Sequence, residues 1–322
     1  MLRLGKLDND DLDRLVLKKF RRIRPESLSS PTIGQDCAVV DLGSDLLVLS
    51  CDPITSASVA HLGRLTVHVS CNDAAAAGAE PVGLLVTLLM PPTGTMEQIA
   101  QIADDLSAAA QLANVDILGG HTEVTDAVTR AVTSATVIAR QSRNQVLRGM
   151  HPGDDIVMTK YAAVEGTTIL AEDFIERLSS VPASLIQAAR SLSGQLSIVP
   201  ESKIAMQHDA VAMHDVTEGG VLGASWELGF ANNCSVEIDT SKIPVLAETR
   251  ALCAALSLDP LRLIGSGSLL IACENGNLLC SALQKAGIPA ALIGKAIAGK
   301  TSFADGAVLE EPHADELYKL YL

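Results

Sequence analysis

Residues 65–78 read Leu-Thr-Val-His-Val-Ser-Cys-Asn-Asp-Ala-Ala-Ala-Ala-Gly, and the next apolar run, 82–90, begins four residues later. The first stretch predicts an alanine-rich helix closed by Gly78 as a C-cap, and the second a buried strand. Asn72 and Asp73 are poor residues inside a helix. Flanked by Val67, Val69 and four alanines, they are expected to be partly buried, and a buried carboxylate needs a partner. Taken alone, a capping Asp explains them about as well as a functional one.

The rest of the chain follows the same habit. Helices are expected over 4–20, 95–113, 165–174, 183–192, 221–229 and 276–286. Strands are expected over 37–40, 46–50, 116–118, 131–140, 155–160, 208–213, 269–272 and 290–296. The order lacks the tight strand–helix alternation of a doubly wound sheet. It predicts an α+β (mixed α/β) fold with helices covering one face of a mixed sheet. The turn His151-Pro152-Gly153-Asp154 follows a polar stretch and sets an expected domain boundary, giving domains 1–150 and 151–322.

Composition narrows the function. The chain is 48% hydrophobic over 322 residues, enough for two cored domains, yet only 2% aromatic, so the cores must be aliphatic. A formal charge of −14 argues against nucleic acid as partner. The one basic run, Lys18 to Arg24, reads as a solvated helix face or end. No apolar run approaches the roughly 20 residues a membrane span needs. Seven cysteines without a C-x-x-C pair, and a polar start Met1-Leu2-Arg3-Leu4-Gly5-Lys6, lead to the expectation of a cytoplasmic protein with reduced thiols.

Five polar or glycine-rich spots interrupt the apolar pattern. Gly34-Gln35-Asp36-Cys37-Ala38 puts a carboxylate at the start of one strand, and Ser50-Cys51-Asp52-Pro53 puts another at the end of its partner. Singly these are turn residues. Together the two carboxylates repel unless a cation or proton joins them, so a metal site is the simpler joint reading. Asn72-Asp73 is the third spot. Gly119-Gly120-His121-Thr122-Glu123 is the fourth: its glycines allow backbone to approach a ligand, Glu123 offers a hard oxygen, and His121 suits ligation, base catalysis or plain hydrogen bonding. This donor set matches Mg²⁺ better than Zn²⁺. His214-Asp215-Val216-Thr217-Glu218-Gly219-Gly220 is the fifth. A glycine turn opening a helix presents N–H groups to an anion, although Asp215 or Thr217 could equally be ordinary caps. Neither a P-loop nor a Rossmann glycine fingerprint occurs.

In this order, the motifs Gly-Gln-Asp-Cys-Ala, Cys-Asp-Pro-Ile, Cys-Asn-Asp-Ala-Ala-Ala-Ala-Gly-Ala-Glu-Pro, Gly-Gly-His-Thr-Glu-Val and His-Asp-Val-Thr-Glu-Gly-Gly resemble a known superfamily. It comprises aminoimidazole ribonucleotide synthetase, HypE, selenophosphate synthetase and thiamine-monophosphate kinase, and the likeness runs from about residue 30 to 297. The resemblance implies a homodimer whose N-terminal domains share a β-barrel, with a C-terminal α+β domain beside each. It implies ATP in a cleft between the domains, with Mg²⁺ on its phosphates. Asp36, Asp52, Asp73 and Glu123 then correspond to metal ligands. Asn72, Gly119, Gly120 and, more weakly, Lys160 and Glu165 join the nucleotide shell. Asp215, Gly219 and Gly220 fall at the substrate end, with Asp215 or His121 orienting an acceptor.

The implied activity is phosphoryl transfer to, or activation of, a small acceptor. The alternatives are a thiamine-monophosphate-kinase-like phosphotransferase and a non-catalytic nucleotide-binding scaffold. Many relatives carry Asp where Gln35 stands, and HypE and the kinase carry Asp in place of His121. HypE works through a cysteine at its extreme C-terminus. This sequence closes on Glu316-Leu-Tyr-Lys-Leu-Tyr-Leu322 with Cys280 as its last cysteine, so HypE's self-thiocarboxamide chemistry is not expected in its usual form.

Overall fold

A computed structural model describes residues 9–15, 17–19, 25–29, 32–33, 37–55, 57–312 and 314–321. They fall into two compact units, one within 23–29 and 36–146, the other within 1–22, 30–35 and 147–322. Both units are α+β, each built on one mixed sheet. Helix α1 (Asn9–Leu15) belongs to the second unit and is shorter than the expected helix over 4–20, whose first residues lie outside the described ones.

In the unit that holds residues 37–146, β1 (Ala38–Asp41) and β2 (Leu46–Ile54) form a hairpin. Helix α2 (Val59–Ala76), β3 (Glu80–Met90), α3 (Met96–Ala113), β4 (Asp116–Val124) and β5 (Val132–Gln141) follow. The sheet order is β1-β2-β5-β3-β4, antiparallel except for the parallel β3–β4 pair. Strand alternation gives the sheet two faces. Val48, Ser50, Ala135, Val137, Leu84 and Val86 point to the side covered by α2 and are buried. Their neighbours Leu47, Cys51, Thr136, Ile138 and Leu85 point to the other, which carries no helix of this unit and leaves Val82 and Leu85 exposed.

Helix α2 begins six residues earlier than its alanine-rich core suggests; its early turns pack on α3, where Gly63 is closely approached by Ile102 and Leu106. Thr95 starts α3 with a reciprocal capping box to Gln98. The larger surprise is β4. The glycines at 119 and 120 predict a loop after a three-residue strand, yet both lie within a nine-residue strand.

The second unit runs β6 (Asp155–Thr159), α4 (Val164–Asp173), α5 (Ala183–Ser191), α6 (Val199–Gln207), β7 (Ala212–Asp215), α7 (Gly220–Ala231) and β8 (Ser235–Ile238). It continues with α8 (Ala247–Leu256), β9 (Leu269–Cys273), α9 (Gly276–Lys285), β10 (Ala290–Ile297) and β11 (Ser302–Phe303). Its sheet order is β11-β8-β10-β6-β9-β7. Ile156, Met158, Leu270 and Ile293 form the centre of one aliphatic core with Val221 and Leu228 of α7. A second core joins α4, α5 and α8 through Leu170, Ala189 and Leu252, and takes in Leu317 near the C-terminus. Helices α6 and α8 and strand β8 are additions to the expected elements; their short, mixed sequences carry too little periodicity to stand out.

Candidate functional site

The acidic set of the first unit is built on β2 and α2. Ser50 and Asp52 are two residues apart on β2, so both side chains take the helix-covered face. There the Ser50 hydroxyl donates to Asp73 Oδ2. Asn72 and Asp73 are both buried, which excludes the reading of Asp73 as a helix-start cap. Asp73 stands instead in the last turn of α2, where the carbonyl end of the helix dipole disfavours negative charge. Desolvation, aided by that neighbouring charge, pushes the Cys71 thiol up to about 12. Cys71 is therefore an inert packing residue.

A buried acid held at the negative end of a helix, next to a second acid on the same face, is an arrangement that a cation stabilises. Among the described residues, no three His, Cys, Asp or Glu side chains gather to hold a metal by themselves. Asp36, the remaining member of the expected acidic set, lies outside the described residues, as do Gly34 and Gln35. Magnesium commonly takes one or two carboxylates and fills its shell with water and phosphate, so Asp52 and Asp73 fit that demand.

The fourth motif falls elsewhere. Gly119, His121 and Glu123 pair with Leu85, Thr87 and Leu89, which places them on the uncovered face of the sheet, at its edge. His121 Nε2 lies 3.3 Å from Glu123 Oε2, and both side chains are more than half exposed. Within one chain, the sheet therefore separates Glu123 and His121 from Asp52 and Asp73. The structure of one chain thus brings together Asp52 and Asp73 but not Glu123 and His121 with them. Gly120 is required by strand pairing: a Cβ there would overlap the Val86 carbonyl.

In the second unit, three loops meet at one end of the sheet. They follow β6, follow β7 and precede β9. Val216 N–H donates to the Ser268 carbonyl, Gly265 N–H to Thr217, and Ser268 Oγ to the Tyr161 carbonyl. Asp215 ends β7 here and is buried; the neighbouring His214 Nδ1 lies 2.7 Å from the Asp215 carbonyl oxygen.

Lys160 is also buried here, with its ammonium 2.6 Å from Glu201 Oε1 and donating to the carbonyls of Gln195, Ser197 and Gly267 at 2.6–3.0 Å. Burial draws its pKa down, and Glu201 partly restores it. An ammonium has three protons, and four internal acceptors already surround this one. The geometry makes Lys160 a structural tie between loops; the resemblance had placed it, more weakly than the others, in the nucleotide shell.

The Gly219-Gly220 turn is similarly engaged. The Asp315 carboxylate accepts the Gly219 N–H at 2.7 Å, Gly220 N–H donates to Thr217, and Leu222 N–H donates to Leu261. Gly220 has φ +62°, and a Cβ there would come within 2.6 Å of the Leu261 carbonyl. Its glycine serves chain packing, and an internal carboxylate stands where an external anion was expected. Glu165 lies nearby on α4. Burial lifts it to about 7, opposed by a hydrogen bond from Ser266 and aided by the charges of Asp315 and Glu218.

Ser50, Glu201 and Asp315 were not singled out by sequence. Ser50 was recoverable, since it sits two residues before Asp52 on a strand. Glu201 and Asp315 act across 41 and 96 residues of chain, which no local pattern records.

Residues 34–140 match the family model described as AIR synthase related protein, N-terminal domain, and residues 151–306 match its C-terminal domain. A putative hydrogenase expression/formation protein of Methanocaldococcus jannaschii is 28% identical over 247 residues, 74% of this chain and 70% of that protein. Carbamoyl dehydratase HypE of Rhizobium leguminosarum is 26% identical over 278 residues, covering 81% and 77%. Among solved structures, ThiL complexed with AMPPCP and TMP superposes with a TM-score of 0.76 at 18% identity, covering 97% of this chain and 98% of that one. The hydrogenase maturation protein HypE in complex with ATP gives 0.72 at 22% identity, covering 96% of each. These two likenesses concern the fold.

Proposed function

The chain belongs to the AIR synthase related proteins, with both the N- and C-terminal domains of that family present, and from this premise we propose that it is an ATP- and Mg²⁺-dependent enzyme. It transfers a phosphoryl group to a small acceptor, or activates that acceptor by doing so. The observation that carries the reading is the burial of Asp73 in the last turn of α2, hydrogen-bonded by Ser50 and on the same face as Asp52.

In this reading Asp52 and Asp73, with Asp36, hold Mg²⁺ and act as ligands rather than bases. Bound Mg²⁺ would neutralise phosphate charge as the phosphoryl group leaves. Ser50 orients Asp73 through the hydrogen bond from its hydroxyl to Oδ2. Asn72 is fully buried beside Asp73 and remains a candidate for the nucleotide shell. Asp215 remains a candidate for positioning the acceptor. Names of relatives support nucleotide use: one solved HypE is bound to ATP and one ThiL to AMPPCP.

The uncovered sheet face supports a homodimer. Strand β4 is an open edge, whereas residues 26–28 already pair with the outer side of β1, and one face exposes Val82 and Leu85 beside half-buried Leu47, Leu49 and Ile138. An open edge and an apolar face are a liability that closure into a shared barrel removes. A second copy would also give His121 and Glu123 a route to a composite site.

The acceptor is best sought by mass spectrometry of nucleotides and metabolites that copurify with the protein. The expected result is an adenine nucleotide with a small partner in the native protein and neither in Asp52→Asn. Equal recovery from both would remove the assignment of Asp52.

A further inference from the structure

The C-terminal strap packs on the turn that opens α7. Pro312 lies against Gly219 and Gly223, its Cβ 3.4 Å from where a Cβ on Gly219 would stand. Asp315, itself buried, accepts N–H groups from Gly219 and, within the strap, from Leu317. Leu317 enters the α4–α5–α8 core. Tyr318 OH donates to Glu218 Oε1 at 2.9 Å. Beyond it, Tyr321 meets Phe174 edge to face at 5.5 Å. On the approach to the strap, Glu310 and Glu311 line a hollow of about 350 Å³ with Trp226 and Phe230.

This docking gathers like charges. Glu165 is buried, and its Oε2 has no hydrogen-bond partner among the described residues. The groups acting on it are Ser266 from the 264–267 loop, Glu218 from the turn and Asp315 from the strap. The cations nearby are committed elsewhere. Lys160 is held by Glu201 and three carbonyls, Lys319 pairs with Glu316, Arg190 donates to the Ala171 carbonyl of α4, Arg177 donates to the Leu320 carbonyl, and Arg262 faces Asp259. Three carboxylates thus share this region with no cation paired to them among the described residues. Such a group is stable when it retains a proton.

We propose that Pro312 and residues 314–320 form a proton-coupled latch over the Thr217–Gly220 turn. The latch is closed while one proton is retained between Glu165 and Asp315, beside the Glu218 carboxylate, and it opens when that proton passes to solvent, uncovering the Gly219 N–H for an anionic group. Burial raises Glu165 to about 7 and Asp315 to about 6, so the closed form binds more protons than the open one. Closure is therefore complete below the ordinary carboxylate range and weakens as pH rises towards 7, beyond which the loss levels off. The inference does not depend on the nucleotide reading.

The test is hydrogen exchange of the full chain between pH 5 and 8.5, corrected for intrinsic exchange, with the fluorescence of Trp226, the only tryptophan, as a second readout. His313 lies outside the described residues and is replaced by Gln throughout, so that its own titration cannot contribute. Protection of the Gly219 and Leu317 amides should fall by on the order of 100-fold across this range, as expected for a shift of about two pH units. Glu165→Gln should flatten that fall and keep the strap docked at pH 8. Tyr318→Phe should lower protection at every pH without changing the slope. Protection independent of pH in the parent, or an unchanged slope in Glu165→Gln, would overturn the latch. Should Glu165→Gln not fold, Glu218→Gln decides in the same way: a flatter slope supports the proposal and an unchanged one ends it.

Discussion

Lys160 shows how much a single side chain's surroundings decide. The resemblance puts it, weakly, in the nucleotide shell; in the fold its ammonium is held by Glu201 and three carbonyls. Removing one partner of a buried pair leaves the other charge stranded, at a cost of about 3–5 kcal/mol. Lys160→Met should accordingly lower the urea midpoint strongly, and adding Glu201→Met should restore much of the loss. Nucleotide affinity of the folded single variant should be unchanged. A variant of normal stability that no longer binds nucleotide would return Lys160 to the nucleotide shell. Asp73 is the opposite case. Its unfavourable place in an alanine-rich helix was visible in the sequence, and its burial at the helix end gives that anomaly a physical reason.

At the level of elements, the aliphatic strands and the α2 and α3 helices were legible because their periodicities are long and clean. Strand β4 was not. Two glycines in succession ordinarily end a strand, and only the close approach of the Val86 carbonyl explains why glycine is needed at 120 inside one. The neighbouring glycine has open space, with Leu85 Cδ2 3.8 Å away as its nearest contact. Gly120→Ala should therefore free β4 from β3, and hydrogen exchange should rise along 116–124 while the β2–β5 pairing stays protected. Gly119→Ala should carry only the backbone penalty of its φ of +150°, about 1–3 kcal/mol, with β4 still paired. Equal effects of the two substitutions would refute this account of the edge strand.

For the whole molecule, the order of motifs carried the family assignment, while the division of the acidic set between two faces of one sheet could not be read without the strand register. That division is what makes the second copy matter. If the uncovered face closes against its counterpart, Leu85→Asp should yield a monomer by light scattering while its circular dichroism remains native; a variant of unchanged mass would argue against that face as the interface. The central claim concerns Asp73 as a ligand of Mg²⁺ with nucleotide. Calorimetric titration of ATP into the protein, with and without Mg²⁺, tests it most directly. The native chain should bind only when Mg²⁺ is present, and Asp73→Asn should weaken binding at least about tenfold, or roughly 1.4 kcal/mol. A folded native chain that binds no ATP with Mg²⁺, or an Asp73→Asn variant that binds as tightly as the native one, would contradict it.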